Sequence, residues 1–396
     1  MTQTTLNTDV VIIGAGIAGL WLHHRLNDMG IHAILLEHGH IGQGQTLSSQ
    51  GIIHGGSKYA LNGVLSKAAQ VISTMPARWK SALNGEGDID LRSVRKLADH
   101  QLLWSKDKLS SKMVSFFASK ALSSRMQRVE KREAPALFQD AGFKGTLYQL
   151  DEPVLDIPSL LTKITEKWHS RMLLVPKDRQ YHWQRTGQKV ETVQIGDMTI
   201  HAKQFVLTAG EGNEALLQSL GIKQPAMQRR PLQMVLCKSH DSTQPLPTIY
   251  AHSLGSGSKP IATISSHQTQ QGETVWYIGG NIAEEGVGKS RENLIAEAQQ
   301  LLNNILPWFK LPNLDWATHA VNRAEPKQSS LTRPDNAFID SQQNIHICWP
   351  TKLALAPDLA DQVLKAINVD AIEKQTYDNP DFPHPEIAKP LWDRAF

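Results

Sequence analysis

The stretch Asp9–Glu37, DVVIIGAGIAGLWLHHRLNDMGIHAILLE, decides how this chain begins to fold. Asp9 to Ile13 is β-branched and nearly all apolar, which predicts a strand buried on both faces. Glycines follow at 14, 16 and 19. Over Ile17 to Met29, the residues Ala18, Leu22, Leu26 and Met29 recur at helical spacing, and Gly30 supplies a stop. Ile31 to Glu37 predicts a second strand. The unit is therefore strand, glycine turn, helix, strand. In that context each glycine has a physical task. Gly14 permits the tight turn, Gly16 lets the backbone approach a pyrophosphate, and Gly19 lets helix and strand pack closely. The helix N-terminus at Ile17 and Ala18 faces the phosphates with its partial positive charge. Glu37, 18 residues beyond Gly19, can accept hydrogen bonds from a ribose. The motif alone does not separate a nicotinamide from a flavin dinucleotide.

Working outward, Asn62 to about Leu83 has helical patterning, as does a basic stretch around Lys120 to Arg132. DIPSLLTKITEKWHS, from Asp156, reads as a helix with a proline in its first turn. RMLLVPKD and KQFVLTAG read as strands. RRPLQMVLCK, KPIATISS and ETVWYIGG read as strands of another sheet. RENLIAEAQQLLNNIL is an amphipathic helix, QNIHICW a late strand, and PTKLALAPDLADQVLKAI a late helix. There is no internal repeat and no low-complexity linker, so two regions are expected to interleave rather than follow one another. The chain has 396 residues, enough for two or three domains. A net charge of +3 argues against a nucleic-acid surface. Two distant cysteines, Cys237 and Cys348, suit neither a disulfide scaffold nor a zinc ribbon and fit a reducing cytosol. The N-terminus has no basic region ahead of its apolar run, and that run is too short and glycine-rich to span a membrane.

After Glu37 the chain enters HGHIGQGQTLSSQGIIHGGSKYAL, a long glycine- and serine-rich segment rather than another alternation of strand and helix. Here Asp9 to Tyr59 resembles the N-terminus of the D-amino-acid oxidase superfamily of FAD oxidoreductases. That group includes glycine oxidase, sarcosine oxidase, L-2-hydroxyglutarate dehydrogenase and FAD-linked glycerol-3-phosphate dehydrogenases. SSQGIIHGG is most similar to the last two. KQFVLTAGEGN resembles the family's second cofactor strand, ending in a turn at Ala209 and Gly210. LLVPKD resembles the strand that passes the adenine near Val175. VNRAEPKQSSLTRPDNAFID and IHICWPTKLALAPDLADQV resemble the C-terminal closure beneath the isoalloxazine.

The resemblance implies an α/β fold. A Rossmann-like FAD domain (residues 1–80, 145–225 and 316–396) would interleave with an antiparallel-sheet substrate domain (81–144 and 226–315). It implies FAD, a small-molecule substrate and an acceptor that is oxygen or a quinone. It also implies a cytoplasmic enzyme, with a peripheral place at the inner membrane face left open but not indicated. Thr46, Ser48, Ser49 and Gly51 would contact phosphate, ribityl or ring, His38 would belong to the cofactor site, and Lys352 and Leu353 would lie at the pyrimidine end.

His54 and Lys58 would lie near the ring. His54 suits a general base, a covalent flavin attachment point or a structural hydrogen-bonding group. Arg323 resembles the arginine that forks a substrate carboxylate, with Arg333 nearby for the same role and a salt bridge as the plain alternative. Tyr250, Trp276 and Tyr277 are candidates for the substrate face, although strand aromatics more often fill cores. His23–His24 and His38/His40 lack the partners of a metal site. The basic run 120–132 reads as a solvated helix face, with an anionic membrane or a protein acceptor as a lesser alternative. Cys348-Trp349-Pro350 departs from the family's glycine-rich turn. The expected reaction is oxidation of a 2-hydroxy acid or polyol phosphate at flavin N5. The alternatives are an amine or amino acid, or a non-catalytic FAD-binding subunit.

Overall fold

A computed structural model of the chain describes residues 4–56, 67–106, 126–255, 260–328 and 336–396. The chain opens with β1 (Thr4–Ile13), α1 (Ile17–Asp28) and β2 (Ala33–Glu37). Next come α2 (Lys67–Leu83), β3 (Lys96–Ala98), β4 (Gln101–Ser105), β5 (Met126–Arg128), α3 (Ala136–Gln139), β6 (Thr146–Leu150), β7 (Val154–Leu155) and α4 (Ile157–Glu166). The middle of the chain supplies β8 (Met172–Leu174), β9 (Tyr181–Thr186), β10 (Lys189–Ile195), β11 (Met198–Leu207) and α5 (Asn213–Ser219). Then follow β12 (Met227–Ser239), β13 (Tyr250–Leu254), β14 (Pro260–Gln268), β15 (Thr274–Gly279), α6 (Asn281–Glu285), α7 (Arg291–Ile305) and β16 (Leu314–Pro326). β17 (Phe338–Gln342), β18 (Ile345–Trp349) and α8 (Ala356–Ala366) complete the regular elements.

Two large sheets result. The first runs β17-β18-β11-β1-β2-β8, with β10 and β9 folded back antiparallel from β11. Its central pairs β18/β11, β11/β1, β1/β2 and β2/β8 are all parallel. Such strands need cover on both faces, which explains the unbroken apolar run in β1. One face carries Val10, Ile12 and Leu35 against Leu22 and Leu26 of α1 and Leu359 and Val363 of α8. The other carries Val11, Ile13 and Phe205 against Leu216 and Leu217 of α5. Each such buried aliphatic side chain contributes about 1.5–3 kcal/mol.

The second sheet runs β16-β12-β15-β14-β13-β4-β6-β5 and is antiparallel except between β13 and β4. Val235, Ile264 and Trp276 pack on Leu294, Ala298 and Leu302 of α7 on one face. The opposite face is different in kind. It buries Met234, Leu236 and Tyr277 beside polar residues such as His252, Thr263 and Ser265. β6 and β16 pair in this second sheet, whereas the expected boundaries grouped residues 145–225 and 316–396 with the first. Neither strand carries a residue pattern that says which sheet it joins.

Capping follows ordinary chemistry. Asp156 accepts from the Ser159 N–H at the start of α4, and Ser290 does the same for Asn293 at α7. The basic stretch is not a continuous helix: its described part contains β5 and a 3-10 turn at Lys131–Glu133, and residues 120–125 lie outside the described residues.

Beyond α8 an extended segment crosses the molecule. The Tyr377 hydroxyl donates to Asp9 at 2.9 Å, and Asn379 exchanges two hydrogen bonds with the Asn7 backbone. Leu174 N–H donates to Pro383 O, and Ile41 pairs with Ile387. The segment then reaches the second sheet. There the Trp392 ring stacks on His267 at 3.9 Å, and Asp393 accepts from the Gln270 N–H.

Candidate active site

The order of the first sheet reverses at β1, with β2 on one side and β11 on the other. A crevice opens at the C-terminal ends of such strands. Gly14 has φ +108°, and a Cβ there would lie 2.6 Å from the Ala209 Cα. A Cβ on Gly19 would lie 2.1 Å from the Gly14 carbonyl oxygen. Gly16 is in open space, with Thr46 Oγ1 as its nearest neighbour at 3.5 Å. The Gly16 position therefore leaves room for a ligand, while Gly14 and Gly19 are demanded by the protein's own backbone.

The surroundings hold this turn. Thr208 donates its hydroxyl to Gly14 O at 3.0 Å and its N–H to Ile13 O at 2.9 Å. Glu37 accepts from Ala15 N–H through Oε2 and from Gly39 N–H through Oε1, both at 2.8 Å. Thr46 Oγ1 accepts from Ile17 N–H at 3.0 Å, so it caps α1 in place of the glycine that precedes the helix. Val175 is buried, and its N–H donates to Glu37 O at 2.7 Å. His38 is exposed. Nearby, the Tyr181 hydroxyl is buried with no hydrogen-bond partner among the described residues; burial, then the Glu37 charge, push its pKa up.

The atypical Cys348-Trp349-Pro350 turn bonds to the crevice. Trp349 Nε1 donates to Gly210 O at 3.1 Å. Asn213 Nδ2 donates to Cys348 O at 3.1 Å, while its Oδ1 accepts from Ala209 N–H at 2.9 Å. An indole and an amide thus tie β18 to the turn after β11. Lys352 sits at the start of a 3-10 turn, Leu353–Leu355, and α8 begins only at Ala356. Leu353 is partly buried against the α1-side core.

The segment from Ser48 to His54 lies across the second sheet, strand by strand. Ser48 Oγ shares a 3.0 Å hydrogen bond with His319 Nε2 of β16. The Tyr277 hydroxyl of β15 donates to Ser48 O at 3.0 Å. Gln50 Nε2 donates to Tyr277 O at 2.9 Å and Thr263 O at 3.0 Å, spanning β15 and β14. The His54 ring stacks on His252 of β13, with centroids 5.7 Å apart and planes at 16°. His252 pairs with Thr263, and Thr263 with Gly279, so these partners form one row across the sheet. On its other side the segment bonds to β7 and the loop before it, through Gly51 O with Leu155 N–H and Ile53 N–H with Pro153 O, both at 2.9 Å. Gly51 has φ +73°, and a Cβ would meet Leu155 O at 2.1 Å. Ser49 Oγ is buried with no hydrogen-bond partner among the described residues.

His54 has a buried carboxylate beside it. Glu152 Oε2 is 3.4 Å from His54 Nδ1, and Oε1 accepts from Gly55 N–H at 2.7 Å. Gln101 Nε2 also donates to Oε2. His252 Nδ1 bonds Thr263 Oγ1 at 2.6 Å. Further along the same face, burial and then the Arg394 charge lower the pKa of His319. Arg323 lies 3.6 Å from Glu284 and stands opposite Arg230, which forks Glu325 at 2.7 and 2.8 Å. Lys58 and Arg333 lie outside the described residues.

Of the aromatic candidates, Trp276 faces the α7 side and donates to Pro247 O, so it is core. Burial pushes Tyr250 up to about 12 and Tyr277 well above its usual range. His23 and His24 are buried and bond backbone carbonyls of Ala33 and Ile164. No metal-ligating cluster occurs among the described residues. The sequence reading missed Gln50, Glu152, His252 and His319. Their roles depend on strand register between segments far apart, which leaves no local spacing to read.

These features define a two-sheet protein with a dinucleotide-binding βαβ unit. The chain belongs to the DAO family of FAD dependent oxidoreductases, whose family profile matches residues 9–348. FAD-dependent oxidoreductase PA4991 of Pseudomonas aeruginosa is 45% identical over 393 residues, covering 99% of both chains. Its crystal structure superposes with a TM-score of 0.86 over 99% of both chains. Iminodiacetate oxidase from Chelativorans sp. BNC1 shares the fold at 16% identity, with a TM-score of 0.65 over 93% of this chain and 97% of that one. Glycine oxidase from Geobacillus kaustophilus does so at 13% identity, with a TM-score of 0.62 over 94% and 97%. The protein is thus an FAD-dependent oxidoreductase. Its residues fit the cofactor: the Gly16 position is open, and two buried hydroxyls, of Ser49 and Tyr181, lack protein partners among the described residues. No helix among the described residues is long and apolar enough to cross a membrane.

Proposed function

We propose that this protein oxidises a small substrate bearing a carboxylate or phosphate, at a carbon that carries a hydroxyl group, as in a 2-hydroxy acid or polyol phosphate. The observation that carries this reading is His54, held beside the buried Glu152 carboxylate on the segment that joins the glycine-turn region to the second sheet. Removing hydride from an alcohol carbon requires a group to take the hydroxyl proton, and an imidazole near neutral pH suits that task. FAD supplies the hydride-accepting chemistry when bound.

Gly16 and the Ala18 N–H at the start of α1 hold the pyrophosphate, with Gly14, Gly19 and Ile17 shaping the turn beneath it. Glu37, with His38 outside it, meets the ribose. Thr46, Ser48, Ser49 and Gly51 line the flavin side, and Val175, Ala209, Gly210, Lys352 and Leu353 close the site. In this reading the first sheet is the cofactor-binding part and the second sheet the substrate-binding part. His54 accepts the substrate proton at Nε2. Arg323 leaves its 3.6 Å contact with Glu284 to fork the substrate anion. In this reading Lys58, four residues after His54 in the sequence, supplies positive charge. The electron acceptor is oxygen or a quinone.

The test is anaerobic bleaching of the flavin by two substrate panels. One holds 2-hydroxy acids and glycerol 3-phosphate; the other holds amino acids and N-substituted glycines. Bleaching by the first panel that is lost in His54→Gln supports the reading. Bleaching only by amines, unaffected by that substitution, replaces it with amine oxidation, the activity named for the iminodiacetate oxidase that shares this fold. No bleaching by either panel favours a subunit that binds FAD without reacting.

A further inference from the structure

We infer that Glu152 is a positioning residue for His54: it fixes which ring nitrogen carries the proton and raises the affinity of the ring for a second one. The inference rests on His54 being the proton acceptor, and it adds a residue to that site. Glu152 lies in the turn between β6 and β7 and is 5% exposed. Its Oε1 is held by the N–H of Gly55, the residue after His54. The carboxylate is therefore fixed to the same backbone that carries the imidazole. Its Oε2 faces Nδ1 of His54 at 3.4 Å and receives the Gln101 amide as well.

An ionised carboxylate only accepts hydrogen bonds. Nδ1 must then carry the proton, which leaves Nε2 as the basic nitrogen. Titratable groups face the ring from two of the elements beside it. They are Glu152 and, from β13, the stacked His252 with Nδ1 on Thr263 Oγ1. The carboxylate favours a protonated His54; a protonated His252 would oppose it. Gln101 from β4 is neutral and competes for the same oxygen.

A purely architectural Glu152 would merely cap the Gly55 N–H. Glu152→Gln separates the two roles, because the amide oxygen still accepts from Gly55 while the charge is gone. The readout is the acylation rate of His54 by diethyl pyrocarbonate in the FAD-loaded protein, mapped by peptide mass against pH; the reagent attacks the neutral ring. Removing a charge at this distance should lower the midpoint pH by about one unit, a tenfold change in proton affinity. Gln101→Met removes the competing donor and should move the midpoint the other way. An unchanged midpoint in Glu152→Gln overturns the inference. If that variant does not fold, an unchanged or lowered midpoint in Gln101→Met overturns it instead. The acylation needs no substrate, so it stands apart from the bleaching test. Substrate oxidation that survives His54→Gln would remove the base role and leave the Glu152–His54 coupling measured.

Discussion

Alanine at Gly14 should destabilise the apoprotein and alanine at Gly16 should not, although both glycines belong to one motif. Gly14 sits at φ +108°, and an added Cβ would lie 2.6 Å from Ala209 Cα and 2.8 Å from two further backbone atoms. Strain at such a φ costs about 1–3 kcal/mol. Carbon contacts belong near 3.5–4.0 Å, so the turns after β1 and β11 must part by about 1 Å. Overpacking of that kind costs about 1–3 kcal/mol more. Gly14→Ala should therefore lose about 2–6 kcal/mol of a total that for most domains is about 5–15 kcal/mol.

Gly16 has φ −78° and ψ 174°, ordinary values for alanine, with nothing nearer to a new Cβ than 3.5 Å. Gly16→Ala should leave the apoprotein unchanged or more stable by about 0.4–1 kcal/mol, through the lowered entropy of the unfolded chain. The methyl would instead occupy the space through which the pyrophosphate approaches, and FAD affinity should fall at least about tenfold, or 1.4 kcal/mol. Urea unfolding of the apoproteins, followed by tryptophan fluorescence, gives the first quantity. Titration with FAD gives the second. Equal destabilisation by both substitutions, or wild-type FAD affinity in Gly16→Ala, would refute the assignment of one glycine to the protein and the other to the ligand.

Acid should weaken the fold through buried histidines. His23 and His267 are held neutral by burial, at about 3 in the folded state. The unfolded chain takes up their protons first, near pH 6.5, so the stability they carry is complete above that pH and declines as pH falls towards 3. At pH 5 each accounts for about 2 kcal/mol of lost stability by linkage, and His267→Phe should flatten the acid limb of a urea-midpoint profile. Trp392→Ala removes a ring buried between His267 and the Met234–Tyr277 cluster. It should cost about 3–5 kcal/mol in chemical denaturation and speed proteolysis of the extended segment. Arg323→Ala should raise the KM for the anionic substrate at least about tenfold while changing kcat less; an unchanged KM would exclude Arg323 from anion binding.

The parallel βαβ unit was legible because its signals are local. An apolar run, three glycines and a helical period all fall between Asp9 and Glu37. The strands of the second sheet were legible as strands for the same reason. What the sequence could not give was their partners. By its resemblance the segment TLSSQGIIHGG is expected to contact phosphate, ribityl or ring. Its Ser48, Gln50 and His54 side chains also bind β16, β15, β14 and β13, and nothing in eleven residues announces a register with residues 252, 263 and 319. Glu152 was invisible for a simpler reason: an acidic residue in a turn before proline reads as solvated until the fold buries it against Gly55 and Gln101. The basic stretch around 120–132 misled by composition, since charge spacing alone does not distinguish a helix face from the short edge strand that its described part contains.

The extended segment beyond α8 has a consequence for how such a molecule comes into being. β1, at the middle of the first sheet, takes β11 as a neighbour nearly two hundred positions later, and its Asn7 waits for Asn379. A ribosome that has delivered the first half of the chain has delivered a central strand with one bare edge and a glycine turn without its Thr208 brace. Each sheet is finished by residues emerging after the other has begun. Flavin capture thus waits for both flanks of the glycine turn, and a nascent chain arrested before β11 should remain colourless in the presence of FAD, held for that time by whatever chaperones shield unpaired strands.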